Sequence, residues 1–195
     1  EPVPVRQLLA ELLEPWRGRG GEPSAWAVPE LNPPAEERIP IEDRPNLDVF
    51  LGHLSRLHRG DPDFAAATLA NACLGQSTLT SRLGRVVRDR EGLTYGIYSR
   101  FFGTLQLPGP WAVYLSVGSG HLERAVALVR QLIEEYMAEG PGEEELAEER
   151  QAQSGSYRVA LATNAGVARE LVSVLTMGEP VSRLDRYPEE LMATD

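Results

Sequence analysis

Two side chains in the run Leu74-Gly-Gln-Ser-Thr-Leu-Thr-Ser-Arg-Leu-Gly-Arg-Val-Val-Arg-Asp-Arg-Glu-Gly-Leu-Thr-Tyr95 have the types and spacing to work together. Arg88 is a permanent cation with a fixed fork of donors, and Tyr95, seven residues on, is a phenol donor. Such a pair can hold a peptide carbonyl. By itself it cannot cut one. To bring the two side chains to one end of one element pair, a helix must stop near Arg88, turn at Gly92 and feed a strand that starts near Tyr95.

Other chemistries have a weaker footing. A zinc hydrolase needs ligands at helical spacing, such as His-x-x-Glu-His or His-Glu-x-x-His, with a carboxylate base. The only histidines are His53, His58 and His121. The stretch from His53 to His58 has no acid between its histidines, and a strand would point them to opposite faces. They read as polar residues at a strand end and in its loop, and no metal ligand is assigned. No Gly-x-Ser-x-Gly turn holds a nucleophile, since Gln153-Ser-Gly-Ser-Tyr157 lies inside a helical pattern. The segment Gly75-Gln-Ser-Thr78 precedes a helix and offers free N–H groups to an anion. It lacks the glycines and the Lys of a phosphate loop, so helix capping by Ser77, Thr78 or Thr80 is the simpler reading. Arg82, Arg85, Arg88 and Arg90 form a basic cluster, but the nearby aromatics fall on strands. The cluster reads as a solvated helix face with one or two functional arginines.

The elements that position these residues follow from periodicity. Leu47 to Leu54 alternates as a strand after Pro45, with Gly52 marking close backbone packing. Asp61-Pro62 predicts a helix start, running to about Leu74 and ended by Gly75. A second helix is expected over Leu79 to Arg88, with Leu79, Leu83, Val86 and Val87 as its apolar stripe. Tyr95 to Phe102 and Trp111 to Val117 read as an antiparallel strand pair joined by 103–110. Helices are expected over His121 to Glu139, Gly142 to about Ala162, Asn164 (as cap) to Met177, and Arg183 to Leu191. Strand, helices, two strands and a run of helices make an α+β chain, an antiparallel or mixed sheet with helices on one face.

Composition narrows the function. A chain of 195 residues suits one domain, or one domain plus a tail, large enough to bury a core without disulfide or metal. The lone Cys73 sits among apolar residues and reads as a buried thiol. A net charge of −10 argues against nucleic acid or an anionic membrane as partner, although all 19 basic residues are Arg. No apolar stretch approaches the roughly 20 residues a bilayer needs, and no signal peptide is visible, so a cytoplasmic protein is expected. The first residue is Glu1, so any targeting segment would precede it. Val5 to Trp16 has the spacing of a short helix, and Gly18 to Glu37, rich in Gly, Pro and charge, reads as linker.

From about Arg38 to Asp195 the sequence resembles the pitrilysin (insulinase-like) family of zinc peptidases, in the zinc-free half of a family subunit. Ordered landmarks carry the likeness: Asp43-Arg-Pro45 before Leu51-Gly52, Asp61-Pro-Asp-Phe64, Leu74-Gly75, Thr80-Ser-Arg-Leu83, and Val87-Arg-Asp-Arg-Glu-Gly-Leu-Thr-Tyr95. Glu145-Leu146 at a helix start and Leu184-Asp-Arg-Tyr-Pro188 after Met177-Gly178 complete them.

The resemblance implies a clam shell in which one domain carries His-x-x-Glu-His with its zinc and the opposing domain closes the site over the peptide. Arg88 and Tyr95 match the pair that the opposing domain contributes. Tyr95 would donate to the scissile carbonyl as it becomes an oxyanion, and Arg88 would steady a neighbouring carbonyl. The zinc motif is absent here, so no cofactor is expected in this chain and zinc is expected in a partner domain or subunit. The implied partners are that zinc-bearing domain and a peptide substrate, in a homo- or hetero-oligomer or in one longer chain. Residues 1–37 would be the link from a preceding domain and 38–195 the zinc-free domain. Relatives continue beyond a segment like Met192 to Asp195 into a helix and a strand, so a domain truncated at its C-terminal strand is expected, and Gly-Gln-Ser stands where many relatives have consecutive glycines. The competing expectation is a structural or assembly module of the same fold with no peptidase role.

Overall fold

The structure, a computed structural model, describes residues 2–16, 30 and 33–195. The linker reading of 18–37 falls largely outside these residues. Helix α1 (Pro2–Leu13) forms where Leu8, Leu9, Leu12 and Leu13 recur, but those side chains remain exposed.

Three strands, β1 (Asn46–Leu54), β2 (Thr94–Phe101) and β3 (Pro110–Gly118), form one antiparallel sheet in the order β1-β3-β2. Leu115 of β3 pairs with Val49 on one side and Ile97 on the other. Alternation along β3 sends Trp111, Val113, Leu115 and Val117 to one face, as the sequence predicts, and the last three are fully buried. That face is covered by Leu83, Val87, Ala125 and Val129 from the helical segments. Gly52 is required by close approach, since a Cβ there would lie 2.5 Å from the Trp111 carbonyl oxygen. On the opposite face, Phe50, Tyr114 and Tyr98 stand in a row across the three strands, with ring centroids 5.1 and 5.0 Å apart. Tyr114 donates to Asp48 at 2.7 Å, which fixes the middle ring.

Two helix starts differ from expectation. Helix α2 (Phe64–Asn71) begins after Asp61, whose carboxylate instead accepts the His58 N–H at 2.7 Å and pairs with the His58 ring at 3.2 Å. A short turn takes the capping group. The chain also does not stop at Gly75: α2 continues through a π-type turn, Ala72–Gln76. The second expected helix is displaced, because 77–81 is a turn and the wide π-type segment runs over Gly84–Arg90. Leu79 is therefore exposed, while Leu83 and Val87 fill the core.

The remaining helices are α3 (Leu122–Glu139), α4 (Glu143–Leu161), α5 (Asn164–Thr176) and α6 (Arg183–Ala193). Gly140, at φ +74°, ends the α3 run in a conformation that favours glycine. Thr163 rather than Asn164 caps α5, accepting the Gly166 N–H at 3.0 Å. Among the described residues no helix is long and apolar enough to cross a membrane.

An ion pair joins two of the sequence landmarks. Arg82 donates to Glu145 through Nε and Nη2, the latter at 2.8 Å, and gives Nη2 also to the Gly140 carbonyl at 3.1 Å. Its guanidinium lies 4.8 Å from the Tyr136 ring centroid. This ties the turn before the wide helix to the start of α4. The pair is mostly covered, so Arg82→Ala should cost about 1–3 kcal/mol, between an exposed and a buried pair. Urea denaturation checks this; a loss below about 0.5 kcal/mol would place the pair with ordinary surface charges.

Candidate functional site

Arg88 lies in the last turn of the wide helix, where the Glu91 N–H reaches the Val86 carbonyl and the Gly92 N–H the Arg88 carbonyl. Gly92 then takes φ +59°, reversing the chain into β2 at little steric cost. Thr94 pairs with Val117 and Gly96 with Ser116, so Tyr95 is the extra residue of a bulge. Bulges re-aim side chains, and Tyr95 is 90% exposed although Leu93 and Thr94 beside it are buried. Thr94 fastens the bulge: its hydroxyl donates to the Ser116 carbonyl at 2.6 Å and accepts the Gly96 N–H at 3.1 Å. Sequence reasoning passed over Thr94; the small polar residue beside a glycine at a strand start was the available signal.

The two site residues predicted from sequence stand together. The Arg88 guanidinium carbon is 5.9 Å from the Tyr95 ring centroid, and Arg88 Nε donates to the Tyr95 carbonyl at 3.1 Å. Nη1 pairs with Asp89 at 2.7 Å. Among the described residues, Arg88 Nη2 and the Tyr95 hydroxyl have no hydrogen-bond partner. The pair therefore presents one unclaimed guanidinium edge and one free phenol to solvent, on a base fixed by the local backbone.

The other candidates have structural partners. Ser77 accepts the N–H groups of Leu79 and Thr80 at 3.3 and 3.2 Å, closing the turn at 77–81 rather than capping a helix as expected. Thr78 donates to the Ile97 carbonyl at 2.9 Å and pins the turn to β2. Burial, with Glu145 and Glu149 nearby, pushes the Cys73 thiol up to about 11, so it is a poor nucleophile near neutrality. His53 packs against Trp111 with ring centroids 5.7 Å apart, and His58 serves the Asp61 turn. Among the described residues no three His, Cys, Asp or Glu side chains stand close enough to hold a metal ion, so the residues present do not fit zinc. A cavity of about 660 Å³ between β2 and the helices takes in neither Arg88 nor Tyr95.

The profile of the peptidase M16 inactive domain matches residues 4–153, and the chain belongs to that family. A peptidase M16 inactive domain from Pseudomonas fluorescens is 30% identical, with a TM-score of 0.70 over 77% of this chain and 35% of that one. A conserved protein from Enterococcus faecalis V583 superposes with a TM-score of 0.78 at 18% identity, over 95% of this chain and 44% of that one. A protease from Helicobacter pylori, also 18% identical, gives 0.63 over 76% of this chain and 35% of its own length. This chain thus spans less than half of each of these solved chains. No significant match to a protein of curated function was found.

Proposed function

We propose that this domain is the non-catalytic half of a zinc metallopeptidase, binding peptide and completing the chamber opposite a zinc-bearing domain. One observation carries the reading: Arg88 and Tyr95 lie side by side at the surface with Nη2 and the phenol hydroxyl unclaimed. The Tyr95 hydroxyl donates to the scissile carbonyl oxygen as negative charge develops there. Arg88 Nη2 holds a neighbouring peptide carbonyl and keeps the backbone in register. A donor aimed at developing charge in a water-poor chamber is worth roughly 3 kcal/mol. The metal chemistry belongs to the partner domain, where the His-x-x-Glu-His ligands are expected.

The test is peptidase activity of the zinc-bearing partner, or of the longer protein, joined to this domain with Tyr95→Phe or Arg88→Ala. A ten-fold or greater fall in kcat/KM is expected, about 1.4 kcal/mol or more of lost transition-state binding, with the assembly intact. Because Tyr95 is so exposed, removing its hydroxyl should leave stability unchanged. Unchanged activity in both variants would exclude the reading.

A structural or assembly module is the second reading. It is favoured by the bonds Arg88 already makes to the Tyr95 carbonyl and to Asp89, which fasten a helix end to a strand start without any substrate. On that reading Arg88→Ala lowers stability and Tyr95→Phe does nothing.

A further inference from the structure

We propose that the cavity walled by α2, the end of β2 and helices α4 to α6 binds an organic carboxylate with an apolar body. The site lies on the helical side of the sheet, and the inference does not rest on the peptidase reading. The chain carries a net charge of −10, yet three arginines, Arg59, Arg169 and Arg183, line the cavity against one acid, Glu170; Arg100 borders it too, but its guanidinium lies over Tyr98 on the opposite face of the sheet. Two of these cations are uncompensated. Arg59 donates only to the neutral Ser173 hydroxyl, at 3.2 Å, and Arg169 has no hydrogen-bond or ion-pair partner among the described residues. Arg183 is partly spent on Glu190 at 3.7 Å.

The arginines surround aromatic and apolar walls. Tyr157 and Tyr187 meet edge to face with centroids 5.0 Å apart, and Phe64, Val174 and Leu191 close the lining. Neither phenol hydroxyl has a hydrogen-bond partner among the described residues. Burial raises the Tyr187 phenol above its usual value; the Arg59 and Arg183 charges oppose that rise, and Glu170 and Glu190 add to it. Charged forks at the rim with rings beneath them suit a planar carboxylate on an apolar stem. Glu170 on the wall disfavours a doubly charged phosphate.

Nuclear magnetic resonance titration of the chain with 3-phenylpropionate tests this. Saturable shifts confined to the loop around Arg59, α2, the end of β2 and α4 to α6 are expected, with binding at least ten-fold weaker for 3-phenylpropionamide and for inorganic phosphate. The double variant Arg59→Gln, Arg169→Gln should weaken 3-phenylpropionate ten-fold or more; Arg169 is exposed and unpaired, so Arg169→Gln alone is the control for folding. The peptide Ala-Ala-Phe, compared with 3-phenylpropionate, separates a peptide C-terminus from a free acid as the source. No saturable binding at millimolar concentration, equal binding of acid and amide, or equal binding to the double variant would overturn the proposal.

Discussion

Placing a methyl group on Gly84 is expected to destabilise the protein by about 3 kcal/mol or more, beyond the usual range for overpacking. A Cβ there would lie 2.1 Å from the Thr78 carbonyl oxygen and 2.6 Å from its carbon, both backbone atoms. Retreat is blocked, because Thr78 is bonded to the Ile97 carbonyl and Ser77 caps the same turn. In a helix, Ala for Gly ordinarily gains about 1 kcal/mol, so the sign of the change reports the contact. Gly155 in α4 supplies the contrast: it is exposed, with nothing within 4 Å of its would-be Cβ, and Gly155→Ala should stabilise. In thermal unfolding, Gly84→Ala should lower Tm by roughly 6–12 °C. A shift under about 2 °C would mean that the turn at 77–81 yields.

Asn71→Ala is the second large effect. This amide sits at the end of α2, buried, and makes three bonds that join two strands. Its Nδ2 donates to the Ser99 carbonyl at 3.2 Å, and its Oδ1 accepts from the Ser99 hydroxyl and the Trp111 indole N–H, both at 2.7 Å. Alanine strands two donors, each costing about 1–3 kcal/mol when unsatisfied. Asn71 and Ser99 also line the cavity, where water can replace part of what is lost, so about 2–3 kcal/mol is expected. Urea unfolding measures the cost, and the Trp111 indole proton resonance reports the lost bond directly. An unmoved indole resonance would show that Oδ1 is not its acceptor.

These two residues also mark where sequence reading runs out. The sheet was legible because alternation on β3, Trp111 to Val117, is a direct projection of its buried face. The helices α3 to α6 were legible because their apolar stripes are local, with ends missed by a residue or two. Asn71 gave no signal, since its partners lie 28 and 40 residues away. Gly84, inside the helix expected over Leu79 to Arg88, gave none either, because the backbone that crowds it arrives from a turn no propensity specifies. Asp61 was misassigned for a similar reason: a nearer N–H, that of His58, takes its carboxylate. At the candidate site, the seven-residue spacing of Arg88 and Tyr95 was visible. The bulge that turns Tyr95 outward was not, because its anchor is the Ser116 carbonyl on another strand.

That bulge separates what this edge of the sheet needs for folding from what it displays. While β2 advances two residues, from Thr94 to Gly96, its partner advances one, from Val117 to Ser116. Residue 95 therefore sits outside the parity of the strand. Excising it would join Thr94 to Gly96 in unbroken register and leave Ile97, Ser99 and Phe101 facing inward. The core does not constrain the Tyr95 side chain; residue 95 serves the fold through its carbonyl, which accepts from Arg88 Nε, while the phenol is left for display.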